Sequence, residues 1–241
     1  MTEKDKSALS SAVESAMNNG ASLAEIQKFI ESQFKEREQL RNAFNDYQQG
    51  YIASGTHGSC SWHINPEGEL RVYPTDGKSG TLACLEDLNW KTPWLDQCGK
   101  IKSVVVEQGV STGESANRVF AFLRHCKKMD VSNLDTSNTK DMTDMFAWNL
   151  KLESLDLSKL DLSSVTTMEN LCSGDKALVT AKVNLPNSLV NTSNMFQFCD
   201  KLTNRRELET QIARNSLRSP KAWEPPKTQE RNKAVEFGLS R

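Results

Sequence analysis

The chain has 241 residues, 37% apolar and 25% charged, with a formal net charge of −1, enough for one core with appendages. No apolar run approaches the roughly 18 residues needed to cross a bilayer, and Met1-Thr-Glu-Lys-Asp-Lys-Ser7 has no apolar signal-peptide segment. The expectation is therefore a cytoplasmic protein with no membrane partner. Near-zero charge argues against nucleic acid as an obligatory ligand.

Residues 1–50 read as a helical hairpin. Leu9, Val13, Ala16 and Met17 recur at helical spacing, and Asn18-Asn19-Gly20 stops that helix. Ser22-Leu-Ala-Glu25 is a capping box that starts a second helix, with Leu23, Ile26, Ile30, Phe34, Leu40, Phe44 and Tyr47 near one stripe. This apolar face either closes the end of the following domain or serves as a partner-binding or dimerising surface.

Residues 51–115 read as a β-rich cap and residues 116–202 as a repeat. Leu134-Asp-Thr-Ser-Asn-Thr-Lys-Asp-Met-Thr-Asp-Met-Phe146 aligns without a gap, 26 residues on, with Leu160-Asp-Leu-Ser-Ser-Val-Thr-Thr-Met-Glu-Asn-Leu-Cys172. A worn third copy runs from Leu185 to Phe196. Phe122-Leu-Arg-His-Cys-Lys-Lys-Met129 is similar to Met195-Phe-Gln-Phe-Cys-Asp-Lys-Leu202, which puts Cys126 and Cys199 in one phase and supplies the end of an earlier copy. The period of about 23–26 residues lies in the leucine-rich-repeat range.

Within one unit, Leu152-Glu-Ser-Leu155-Asp-Leu157 alternates as a half-buried strand does. Asp-x-Ser then offers short side chains to the backbone amides of a turn. Met142-x-x-Met145-Phe146 has the spacing of one inward-facing helical turn. A lone unit cannot bury both faces, whereas stacked units bury them against each other.

The pattern S-L-D-L-S-x-x-D-x-S-x-V-x-x-M-x-x-M-F resembles the BspA-type leucine-rich repeat of bacterial surface proteins, with Leu134–Met145 the nearest stretch. Gly55-Thr-His-Gly-Ser-Cys60-Ser-Trp62-His-Ile64 is similar to the G-T-W-G-T-C-x-W-x-I segment that often precedes those repeats. Pro93-Trp94 and Ile101–Val110 also match it, so the resemblance spans Gly55 to roughly Leu202. It implies a binding scaffold, often adhesive, with no catalytic residues. Members are typically exported and carry more repeats and wall anchors; of this chain about four turns are expected, with neither an export signal nor an anchor.

Residues 203–241 carry nine basic and five acidic side chains. They read as a short helix bearing Leu208 and Ile212, then an extended basic tail around Trp223-Glu-Pro-Pro226. Trp223 is either a strap on the body or an anchor for a partner, and this tail is the one place where nucleic acid remains an option.

Several residue groups superficially suggest chemistry. His57, Cys60 and His63 lie close enough in sequence to suggest a nucleophile with a base. The resemblance puts Trp where His57 stands, which favours a structural hairpin with Cys60 and Trp62 inward and the histidines at its rim. The six cysteines form no C-x-x-C pair, so no zinc site is expected. Gly77-Lys-Ser-Gly80 lacks phosphate-loop spacing, and Asp135, Asp141, Asp144, Asp156 and Asp161 fit turns better than a calcium loop. No cofactor or metal is expected.

The fold class expected is α+β: a short leucine-rich-repeat solenoid with a β-rich cap, preceded by a helical hairpin and followed by a short helix and tail. The function expected is non-catalytic protein binding by an intracellular binding or inhibitory protein, of the kind a phage or mobile element directs at a host protein. Strand alternation makes Lys128, Asp130, Ser154, Asp156 and Ser158 the candidate partner-binding residues, with Trp223. The alternatives are a truncated or unconventionally exported surface adhesin, and an enzyme using His57, Cys60 and His63.

Overall fold

The computed structural model describes residues 21, 22, 25, 28, 50–88, 91–186 and 190–217. Of the first fifty residues, Ser22 and Glu25 form the reciprocal capping bonds: the Glu25 amide donates to Ser22 Oγ at 3.3 Å and the Ser22 amide to Glu25 Oε2 at 2.8 Å. The rest of the hairpin reading for 1–50, Gly50 apart, and the tail with Trp223 lie outside the described residues, apart from Lys28 and Ala21.

Strands β1 (Ala53–His57), β2 (Cys60–Ile64) and β3 (Glu69–Pro74) form an antiparallel meander. Trp62, Ile64, Leu70 and Val72 alternate inward, while His63, Arg71 and Tyr73 face the other way. β3 then pairs in parallel with β5 (Ser103–Val106), and β7 (Lys128–Asp130), β8 (Ser154–Asp156) and β9 (Thr180–Lys182) follow, also in parallel. The order is β1-β2-β3-β5-β7-β8-β9. Two short strands, β4 (Gly80–Thr81) and β6 (Val110–Ser111), form a second parallel pair.

The partners Ser103, Lys128, Ser154 and Thr180 follow one another at steps of 25, 26 and 26 residues. A second line of parallel bridges joins Ser115, Asp141, Thr167 and Asn191 at steps of 26, 26 and 24. Between those lines no helix occurs among the described residues. The amides of Ala116, Met142 and Met168 donate to the carbonyls of Asp141, Thr167 and Asn191 at 2.8, 2.9 and 2.7 Å, each one turn on. Those of Phe120, Phe146 and Cys172 likewise reach Met145, Leu171 and Met195.

The helical turn expected at Met142–Phe146 is therefore corrected. The backbone is left-handed at Asp144 (φ 56°) and again at Trp148 (φ 62°). A residue with positive φ cannot continue a right-handed helix, so the amides bond to the neighbouring turn instead of four residues back.

Each turn delivers the same positions to one interior. Met142 and Met168 are fully buried, and Leu134 and Leu160 nearly so. Trp94, Phe120 and Phe146 stack in a column, successive ring centroids 6.0 Å apart and planes 13° off parallel. Burying such rings supplies both apolar area and offset-stacking attraction. The equivalences also revise the phase given to two thiols. Phe122, Trp148, Gly174 and Phe198 share the left-handed position, so Cys199 is equivalent to Leu123, Asn149 and Asp175, and Cys126 to Leu152, Leu178 and Leu202. The shorter third copy had disguised this offset.

At the far end, Asn204 closes the last strand: its Oδ1 accepts from the Ala181 amide at 3.3 Å and its Nδ2 donates to the Ala181 carbonyl at 2.7 Å. A side-chain amide thus stands where another strand would pair, protecting an edge. Helix α1 (Arg205–Leu217) follows, burying Leu208 and packing Ile212 on the core.

Candidate functional site: the outward sheet face

The outward row of the sheet crosses most of its strands. His63 pairs with Arg71, Arg71 with Val105, Val105 with Asp130, and farther along Asp156 with Lys182. On β7, β8 and β9 the pattern is exposed–buried–exposed, with Met129, Leu155 and Ala181 inward. Lys128, Asp130, Ser154 and Asp156 are all exposed on this face.

Ser158 lies beyond β8 and is half-buried. Its amide and hydroxyl both donate to Asp156 Oδ1, at 3.0 and 2.6 Å, so it belongs to the turn rather than the strand row. The same amide-to-carboxylate bond recurs at Asp130–Ser132 (3.1 Å), Asp135–Ser137 (2.9 Å) and Asp161–Ser163 (2.9 Å). These bonds hold the carboxylates ionised. Asp156 goes furthest, to about 2, with Ser158 the largest cause and the Lys182 ammonium at 3.1 Å adding to it. One carboxylate oxygen thus shapes the turn while the other meets a cation on the open face.

Toward the antiparallel end the face becomes aromatic. Tyr51 stacks on His63 with centroids 4.0 Å apart and planes 7° off parallel, and the Tyr73 ring lies 5.6 Å from His63, tilted by 59°. Arg71 forms salt bridges with Glu69 at 2.7 Å and with Glu107. Tyr51, Arg71 and Tyr73 were missed in sequence, although the alternation of Glu69–Pro74 would have placed Arg71 and Tyr73 outward with His63.

His57, Cys60 and His63 are not assembled. His57 and Cys60 are cross-strand partners, both buried, whereas His63 sits on the opposite face. His57 is not at a rim: it is 2% exposed, set edge-on to Trp94 at 5.1 Å, and neither ring nitrogen has a hydrogen-bond partner. Burial lowers the His57 pKa to about 4 and raises that of Cys60 to about 11. Neutral imidazole beside neutral thiol is the reverse of an activated pair, in which a cation stabilises a thiolate.

Among the described residues no group of three or more His, Cys, Asp or Glu side chains is placed to hold a metal ion. Among the same residues no helix is long and apolar enough to cross a membrane. What the face offers chemically is a firm, mixed-charge surface with an aromatic end. No curated protein and no solved structure matches the chain. Residues 99–214, from the approach to β5 to within α1, match the family model described as "Mycoplasma protein of unknown function, DUF285".

Proposed function

We propose that this protein is a non-catalytic recognition module, built as a short leucine-rich-repeat solenoid of the BspA type, and that it binds another protein inside the cell, as an inhibitor or adaptor would. The observation that carries the reading is the outward row Arg71–Val105–Asp130 with Asp156–Lys182. Asp156 and Lys182 stand there one strand spacing apart, about 4.8 Å, and Arg71 and Asp130 two spacings apart with Val105 between them, on a backbone held by parallel pairing. A surface so preorganised loses little side-chain and backbone freedom on association. The absence of an activated nucleophile at His57 and Cys60 favours binding over catalysis.

Photo-crosslinking tests the face. A benzoylphenylalanine placed at Ser154 or Thr180 in the native host should yield one discrete adduct, abolished by Asp156→Lys with Lys128→Glu. The same group at Ser163, in a turn, should yield none. Adducts from Ser163 alone, or from no position, would overturn the assignment of the face.

A further inference from the structure

Two left-handed positions recur in every turn, and they are filled very differently. The first carries Arg118, Asp144, Asn170 and Asn194, with φ between 55° and 59°. Asparagine and aspartate tolerate this backbone, and Arg118 is tied to Asp144 by a 3.0 Å ion pair. The second carries Phe122, Trp148, Gly174 and Phe198, at φ 64°, 62°, 84° and 61°. Glycine is the natural occupant of such a position, yet three of the four are large aromatics, for which the conformation is strained.

These rings are not used to fill the core. Trp148 is 40% exposed and Phe198 52% exposed, while Phe122 is half-buried. The Trp148 indole lies against the next turn: a Cβ on Gly174 would come within 2.7 Å of it. That explains the glycine there and leaves the indole as a platform with its other side toward solvent. Strain and exposed apolar area both cost stability, and they coincide at Trp148 and Phe198; a ligand covering those rings would offset both.

The charges flanking the aromatics say which one. The four segments 122–128, 148–154, 174–180 and 198–204 present the exposed cations Arg124, Lys127, Lys128, Lys151, Lys176 and Lys201. Against them stand two exposed carboxylates, Glu153 and Asp200. The chain as a whole is at −1, so this edge is a local excess of positive charge beside flat aromatic surface. We propose that it is a docking surface for an acidic peptide segment of a partner protein that carries aromatic side chains. Lys128 also belongs to the open sheet face, but the aromatics and the other five cations lie outside its strands, so this surface is tested apart from that face. Polar-tipped rings stack on such platforms while carboxylates meet the flanking cations. A nucleic-acid strand fits less well, because its unbroken row of phosphates would meet Glu153 and Asp200. The chain's own residues 218–241 fit less well too, with six basic and three acidic side chains.

The test uses the full-length protein and a random copolymer of glutamate and tyrosine, with polyglutamate, a lysine–tyrosine copolymer and oligothymidylate as comparisons, read by calorimetry at 50 and 300 mM salt. The glutamate–tyrosine copolymer should bind best and weaken with salt. Trp148→Gly and Phe198→Gly should each weaken it at least tenfold while the melting temperature stays within a few degrees, because glycine adopts φ near +60° freely. Lys151→Glu with Lys201→Glu, which leaves the aromatics in place, should weaken it as much and serves if a glycine variant fails to fold. Polyglutamate binding as tightly as the copolymer, oligothymidylate binding more tightly, unchanged affinity in the folded variants, or no binding by the wild type would each overturn the proposal.

Discussion

The antiparallel end of the molecule buries His57 and its stacked turns bury Asp175, with opposite consequences for pH. In the hairpin, His57 sits against Trp94 with no partner for either nitrogen, and burial favours its neutral form. In the turns, Asp175 is fully buried; its Oδ1 accepts from the Asn149 amide at 2.7 Å, its Oδ2 has no partner, and burial raises its pKa well above 3.8. Asp156, 19 residues earlier and on the open face, is driven the other way. Residue type does not set the charge state here. Position in the turn does.

Why the interior tolerates Asp175 follows from its equivalents. Asn149 Oδ1 accepts from the Leu123 amide at 2.8 Å, and its Nδ2 donates to the carbonyls of Phe120, at 3.0 Å, and Phe146. Cys199 Sγ donates to the Cys172 carbonyl, equivalent to Phe120 and Phe146 in their turns, at 3.0 Å. Of the two forms of Asp175, only the neutral one has a donor to offer at this position, because an ionised carboxylate only accepts. The column is thus a polar seam that ties one turn to the next.

The largest effect expected is from cutting that seam. Asn149→Ala leaves an amide and two carbonyls without a partner in the interior, which costs roughly 3–4 kcal/mol. Urea unfolding should show it as a large drop in midpoint with an unchanged slope.

Next in size is the pH response of the hairpin. A histidine whose pKa is lowered from 6.5 to about 4 contributes stability that is complete above 6.5 and is lost as pH falls toward 4. At 1.36 kcal/mol per unit this amounts to roughly 3 kcal/mol. Asp175 has the opposite sign: with its pKa raised, its contribution is complete below 3.8 and is lost as pH rises through the folded value. The two slopes oppose each other between pH 4 and 6.5. His57→Phe should therefore give a protein whose stability falls with rising pH in that window, and Asp175→Asn one whose stability rises. Asp175→Asn should also be more stable than the wild type at pH 8, because its amide keeps a donor there without an ionisation cost. Parallel profiles for the two variants would remove the contrast between the ends.

The smallest effect belongs to the open face. Asp156 and Lys182 are more than half exposed, so Asp156→Ala should cost under about 1 kcal/mol at neutral pH. That loss should vanish as the wild type is acidified below 3.8 toward 2, where its own carboxylate protonates.

Much of this could be read from residues. The 26-residue offset that aligns Met142 with Met168 is the offset at which Asp141 bridges Thr167. The Asp-x-Ser turns and the inward side of β8 follow from short-range rules. Other features have no local signature. Left-handed backbone is announced by glycine or asparagine, and Trp148 and Phe198 gave no such sign because the inter-turn hydrogen bonds, not the residue, impose the conformation. Asn149, in Trp-Asn-Leu, reads as a surface residue until three turns are stacked. His57 reads as a rim residue until Trp94, 37 positions on, covers it.

Everything rests on β5, β7, β8 and β9 lying side by side in that order. In a Cys84→Ser, Cys98→Ser background, which removes the two partly exposed thiols, cysteines placed at Lys128 and Ser154, or at Ser154 and Thr180, should cross-link on mild oxidation. Neighbouring strands lie about 4.8 Å apart, within disulfide reach, and strands two apart lie about 9.5 Å apart, outside it. Cysteines at Lys128 and Thr180 should therefore remain reduced. Efficient cross-linking of that last pair, or none between the neighbours, would contradict the stacked arrangement.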